Sequence, residues 1–449
     1  MVTTKEYLKL NKPVKLIFKG SKTADIFTRE ISKSFSAVLK KNYVYDGENR
    51  GFISASVDGR PWTGTMWSRD TGNFLRELIH YGYFGHACMT AEYLISHCGI
   101  NEKGFYSFPE YQKMGEVKSG GELDGTCAII IALCLFLKKL SNSDEEIIKA
   151  ECKKIEKFLI CEKSPLRFLI KEISDNKLIA GTGEFGGGMG VDGEWCNVVQ
   201  NHLAVNALCI GGRVLDGDIS EKSLNSMRSL IDDIKKYFIN DDGFIWCVSP
   251  KTFKADEDCL KADANVGFSG VNGCGAMMCD IDGDEYFNTY WKESGNIAAK
   301  KTFVYLLATK SRQEQFSKYG MYLQFEAYCE GLLTSPSYGQ GYALQLALNL
   351  NELEYAEKLF DYMVNATFNP PKQYSLTRDS NYWFYERFLS PDYFELPKER
   401  QTVEEGCGAL NLINVAEPLK IARQLAGLTF INENPVLISG ITTIENCGE

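Results

Sequence analysis

Residues 127–137 read CAIIIALCLFL, and residues 143–159 read SDEEIIKAECKKIEKFL. The first run is apolar on every side of a helix, so protein must cover it all round. It is too short to span a bilayer, which takes about 20 residues. The second run is amphipathic, with a charged face for water and an apolar face for packing. The link between them is short, as in a helical hairpin. A fully covered helix joined to a half-covered one is the unit of a two-layer helical wall.

The alternation recurs along the chain. LAVNALCIGG (203–212), GYALQLALNL (341–350) and GCGALNLINVAEPL (406–419) are apolar nearly all round. Amphipathic runs follow the first two, EKSLNSMRSLIDDIKKYF (221–238) and LEYAEKLFDYMVNATF (353–368). The expected fold is therefore all-α, with an inner and an outer ring of helices joined as hairpins. No linker or shift in composition divides the chain, so residues 1–449 are expected to form a single domain.

The bulk composition excludes several roles. The net charge is −10 and no Lys/Arg cluster is present, so neither nucleic acid nor an anionic membrane is an expected partner. The N-terminal MVTTKEYLKLNKPVKLIF lacks the apolar core of a signal peptide. Fifteen scattered cysteines without CxxC pairs point to reduced thiols and a cytoplasmic location. With four histidines, a His-rich metal site is not expected, and no cofactor motif stands out.

Outer-to-inner connections are long and rich in Gly, aromatics and carboxylates, the usual setting for function on a rigid scaffold. TMWSRDTGNFLRELI (65–79) places Arg69 beside Asp70 with a helix expected to start right after the pair, Trp67 two positions before it and Trp62 upstream. An Arg fork plus a carboxylate can grip a vicinal diol, and an indole can stack on a sugar face. Capping of the helix by Asp70 is the structural alternative. GGELDGT (120–126) carries Glu122 and Asp124, either lining the site or starting the next helix. EFGGGMGVDGEWCN (184–197) holds Asp192 and Glu194 beside Trp195. A carboxyl against an indole gains the raised pKa that a general acid needs. YWFYERFLSPD (382–392) sets Glu386 behind an aromatic run that includes Trp383, and Glu404 and Glu405 follow.

In that order, these motifs resemble the inverting six-hairpin, (α/α)6-barrel glycosidases: glucoamylases, trehalases and the processing α-glucosidases. The likeness is strongest over residues 50–425. It implies a helical toroid with long loops and short β-hairpins at one end. It also implies hydrolysis of a glycoside or oligosaccharide by two carboxyl groups, with no metal or cofactor. MWSRDTGNFLREL resembles the Trp-x-Arg-Asp segment that grips the sugar. ELDGTCAIIIAL resembles the Asp-Gly segment after it, and DGEWCNVVQNHLAVNAL the general-acid segment. YGQGYALQLAL, with Tyr338 and Gln340, resembles a later substrate loop. YERFLSPD and VEEGCGALNLINVAE resemble the general-base region. The acid is then Asp192 or Glu194, and the base Glu386 or Glu405. Their carboxyl groups are expected about 6.5–9.5 Å apart, leaving room for a water. The loop before Glu122 reads SGG (119–121), where glucoamylases carry a tryptophan, which leaves the sugar open. The alternatives are a sugar epimerase or isomerase, which on this scaffold uses histidines, and an inactive carbohydrate-binding protein. His202 is the histidine closest to a proposed loop, and a core role is expected for it. The oligomeric state is not legible in the sequence.

Overall fold

The structure, a computed structural model, describes residues 2–57, 62–181, 195–255, 284–308, 340–368 and 410–429. It also describes the shorter stretches 314, 333–334, 388–389, 395–400 and 433–448.

After a short helix α1 (Thr4–Leu8) come α2 (Lys22–Lys41), α3 (Ser68–His80) and α4 (Phe84–Ser96). Then follow α5 (Leu123–Leu140), α6 (Glu146–Ile160), α7 (Pro165–Asn176), α8 (Val198–Val214) and α9 (Asp218–Tyr237). Helix α10 (Glu285–Tyr290) leads through a π-turn into α11 (Asn296–Ala308). Helices α12 (Gln340–Asn349), α13 (Leu353–Phe368) and α14 (Leu412–Leu425) complete the set named here.

Two layers are evident. Helices α3, α5, α8 and α14 are buried along almost their whole length. Helix α3 packs on α5, α5 on α8, α14 on α3, and α12 on α14. Around them, α9 covers α8, α13 covers α12, and α2 lies against α13 and α14. The outer helices bury one face: α9 buries Ile219, Met227, Leu230, Ile231 and Ile234 and leaves its lysines in water. Each fully buried Ile or Leu of the α5 run contributes about 1.5–3 kcal/mol, which is why a helix with so few charges is stable here. The arrangement is the helical toroid expected from the alternation. One detail differs: two helices, α6 and α7, stand between the inner helices α5 and α8. Ser164 caps α7 and Pro165 opens it, so a second amphipathic helix restarts after α6.

Inner-to-outer links are short, from His80 to Phe84 and from Val214 to Asp218. The returns are long, from Ser96 to Leu123 and from Lys41 to Ser68. Small antiparallel strand pairs stiffen them. Thr65–Trp67 pairs with Tyr111–Lys113 and leads into α3, and Cys196–Asn197 pairs with Cys247–Val248 and leads into α8. Val14–Lys19 pairs with Thr443–Gly448, tying the two ends of the chain together.

The inner helices run parallel. Early residues face early ones, as in Arg69 with Asp124, and late residues face late ones, as in Glu77 with Arg423. Their N-termini therefore share one end of the toroid, here called the mouth. Among the described residues, no helix is long and apolar enough to cross a membrane.

Candidate active site

Two glycines set the site. A Cβ on Gly72 would stand 2.7 Å from the Ala128 carbonyl carbon, and one on Gly125 would stand 2.7 Å from Ser68 Cβ and 3.2 Å from Arg69 N. With hydrogen in those places, the N-termini of α3 and α5 close on each other. Ser68 Oγ donates to the Pro109 carbonyl, and Ser68 N to that of Glu110, which pins the loop ahead of α5 to the start of α3.

The close approach delivers the first two motifs to one place. Arg69 Nη2 lies 3.5 Å from Asp70 Oδ1, and Arg69 Nη1 lies 3.6 Å from Asp124 Oδ2. Arg69 and Asp70 are each 4% exposed, Asp124 is fully buried and Glu122 is 3% exposed. Neither Glu122 oxygen receives a hydrogen bond from a described donor. Burial, and then the neighbouring Asp124 carboxylate, hold the Glu122 pKa well above the usual carboxylate range, with Arg69 pulling the other way. Three carboxyl groups thus surround one guanidinium at the mouth.

Helix α3 begins at Ser68, one residue before the Arg-Asp pair. The sequence places its start after that pair. Asp70 accordingly sits in the first turn, where a carboxylate is favoured, but the residue before the helix, Trp67, makes no side-chain cap.

An aromatic group flanks the cluster. The Trp62 and Trp67 rings are 4.8 Å apart and edge to face. Tyr111 lies 5.7 Å from Trp67 and 6.4 Å from Trp62. Tyr111 is absent from the sequence reading. Only its strand pairing with Trp67 brings it here, and a three-residue strand gives too short a period to detect. Trp195 is buried and bridges to Gly181 across the approach to α8. The indole N–H groups of Trp67 and Trp195 have no acceptor among the described residues.

Asp192, Glu194, Tyr338, Trp383, Glu386 and Glu405 lie outside the described residues, as does the expected separation of acid and base. Gln340 opens inner helix α12. Among the described residues, no group of three or more His, Cys, Asp or Glu side chains is placed to hold a metal ion.

His202 is a core histidine. Its Nδ1–H donates to the Val198 carbonyl at 2.8 Å, and its Nε2 accepts from Tyr290 OH at 2.7 Å. Burial lowers its pKa to about 4.

No protein-family model and no curated protein matches the chain. Solved structures do share its fold. A glycosidase variant aligns with a TM-score of 0.56 at 11% identity, over 90% of this chain and 97% of its own. A D-mannose isomerase aligns at 0.55 and 12% identity, over 90% and 98%. A cellobiose 2-epimerase from Bacillus thermoamylovorans aligns at 0.55 and 11% identity, over 88% and 98%. These likenesses establish the fold, the (α/α)6 barrel.

Proposed function

We propose that this chain is a glycoside hydrolase that cleaves an oligosaccharide or glycoside with inversion. The observation that carries the reading is the buried Arg69–Asp70–Asp124 cluster beside the Trp62, Trp67 and Tyr111 rings at the mouth. Donors, acceptors and flat apolar faces in one place are what a sugar ring requires. Arg69 and Asp70 hold the hydroxyls of the sugar whose bond breaks, and Glu122, Asp124, Trp195, Tyr338, Gln340 and Trp383 complete its surroundings. Asp192, or else Glu194, protonates the leaving oxygen. Glu386, or else Glu405, deprotonates the attacking water on the opposite face.

The fold also carries an isomerase and an epimerase, so the fold alone does not select hydrolysis. His202 weighs for it. Both its ring nitrogens are engaged within the core, and its depressed pKa leaves it neutral and enclosed rather than ready to exchange protons with a sugar. The test is a panel of aryl glycosides and natural oligosaccharides, read by mass and by new reducing ends. The expected result is addition of water across a glycosidic bond. A sugar converted at unchanged mass, with no bond cleaved, overturns the proposal in favour of isomerisation or epimerisation.

A further inference from the structure

Among the described residues, the mouth gathers three buried acids, Asp70, Glu122 and Asp124, around one guanidinium, that of Arg69. Arg69 Nη2 lies 3.5 Å from Asp70 and Nη1 lies 3.6 Å from Asp124. Glu122 is next to Asp124, within hydrogen-bonding reach of it. Two buried carboxyl groups in such contact hold a proton between them. The surroundings assign it to Glu122. Asp124 is in the first turn of α5, where the helix dipole favours negative charge. Its Oδ1 accepts from Gly125 N at 2.9 Å, and its Oδ2 faces Arg69. Glu122 stands just before α5 and makes no side-chain cap, so its carboxyl is not spent on the helix start. A Cβ on Gly125 would stand 2.9 Å from Glu122 Oε2 and 3.2 Å from Arg69 N, so the glycine lets this carboxyl sit between the starts of α5 and α3. A cavity of about 460 Å³ between the start of α5 and helix α7 has Glu122 in its wall and gives the proton a path to water. The other charged groups of that wall are Glu102, Lys103 and Glu172, and the Lys103 ammonium is on both Glu172 oxygens at 2.7 and 2.8 Å. Glu110, the remaining charged neighbour, adds a further acid.

We infer that Glu122 is a positioning residue that acts through Asp124 and Arg69: while its carboxyl carries a proton, the guanidinium stays between Asp124 and Asp70 and grips the sugar, and when it ionises the grip is released. The role rests on the carbohydrate reading of the mouth. Burial and Asp124 keep the proton on Glu122 well above the usual carboxylate range, so the gripping form is the one present at lower pH. Loss of the proton to water adds a second negative charge on the α5 side of Arg69. That charge draws the guanidinium towards α5 and away from Asp70. Activity therefore falls as pH rises through the ionisation of Glu122.

The experiment compares wild type, Glu122→Gln and Glu122→Ala in two arms. Infrared difference spectroscopy over a pH series follows the carbonyl stretch of a protonated carboxyl. Wild type is expected to keep, at neutral pH, a band that Glu122→Gln lacks. The second arm measures kcat/KM against pH on dinitrophenyl glycosides. Their leaving group departs without a proton, so the general acid does not shape the alkaline side. Wild type is expected to descend there by about ten-fold per pH unit, with the midpoint at which the infrared band vanishes. Glu122→Ala is expected to lower the plateau at least ten-fold. Glu122→Gln is expected to recover most of that loss and to lack the descent, because an amide cannot ionise. A thermal melt confirms that each variant is folded. The absence of a Glu122-dependent band, or the same descent in Glu122→Gln, overturns the role. A band that vanishes with pH while no glycoside is cleaved keeps the proton on Glu122 and overturns the hydrolase reading instead.

Discussion

Helix α3 carries two Arg-acid pairs seven residues apart, Arg69-Asp70 in its first turn and Arg76-Glu77 two turns further in. In sequence they are near copies. In the barrel they differ in how tightly they are held. Glu77 takes a two-pronged grip from Arg423, Nε to Oε2 at 2.7 Å and Nη2 to Oε1 at 2.6 Å. Around it, Asn73 Oδ1 accepts from Arg76 Nη1 and from Lys420 Nζ, and Lys420 also reaches Glu417 at 3.1 Å. Gln345 donates to Glu417, which draws α12 into the same network. At the mouth, Arg69 lies 3.5 Å from Asp70 and 3.6 Å from Asp124, longer than the 2.6 and 2.7 Å of the deep pair. The deep pair satisfies buried charge within the protein. The mouth pair instead sits beside two further buried carboxyl groups, Glu122 and Asp124, and a group of aromatic rings.

Breaking the deep pair is expected to have the largest effect. Glu77→Gln leaves Arg423 buried without its counter-charge and should cost about 3–5 kcal/mol of stability. Calorimetric or chemical unfolding measures it. Any activity that remains at low temperature should have a near-normal KM.

Breaking the mouth pair should show the opposite signature. Asp70→Asn is expected to lower kcat/KM by about 2–4 kcal/mol of transition-state stabilisation and to change the melting temperature little. An unchanged kcat/KM with a lowered melting temperature would make Asp70 a helix-terminus residue only.

Another buried acid sharpens the contrast, because it lies away from both pairs. Glu151 on α6 is 1% exposed, and burial raises its pKa to about 7 despite Lys154 at 3.1 Å. The folded protein thus keeps a proton that the unfolded chain releases above its ordinary carboxylate pKa. The contribution of this group to stability is full below that ordinary value and is lost as pH rises towards 7. The loss amounts to about 3 kcal/mol. Glu151→Gln should flatten stability between pH 4.5 and 7 and leave the pH profile of turnover unchanged. A shifted turnover profile would mean that raised carboxyl pKa values do not distinguish the mouth from the outer wall.

The smallest effect is expected for Gly125→Ala, about 1–3 kcal/mol of overpacking against Ser68. It should be accompanied by a loss of activity larger than the stability change, since the added methyl parts Arg69 from Asp124. Activity loss in step with stability would reduce Gly125 to a packing residue.

The layers were legible because covering is a property of local sequence. CAIIIALCLFL cannot face water on any side, and SDEEIIKAECKKIEKFL must on one. The distinction between Arg69-Asp70 and Arg76-Glu77 was not legible. What separates them is Arg423, 346 positions from Glu77, and no local pattern reports that. Glu122 and Asp124 remained ambiguous between helix start and site for a physical reason: both roles apply. The structure has Glu122 just before α5, Asp124 in its first turn, and Asp124 at the guanidinium. Tyr111 escaped notice because it comes to the indoles through a strand pairing rather than through a motif.

The measurement that bears most directly on the account is the configuration of the first product released from a hydrolysed glycoside, followed by NMR before mutarotation. The account predicts a new reducing end with the anomeric configuration opposite to that of the cleaved bond. A product that retains the configuration would contradict it.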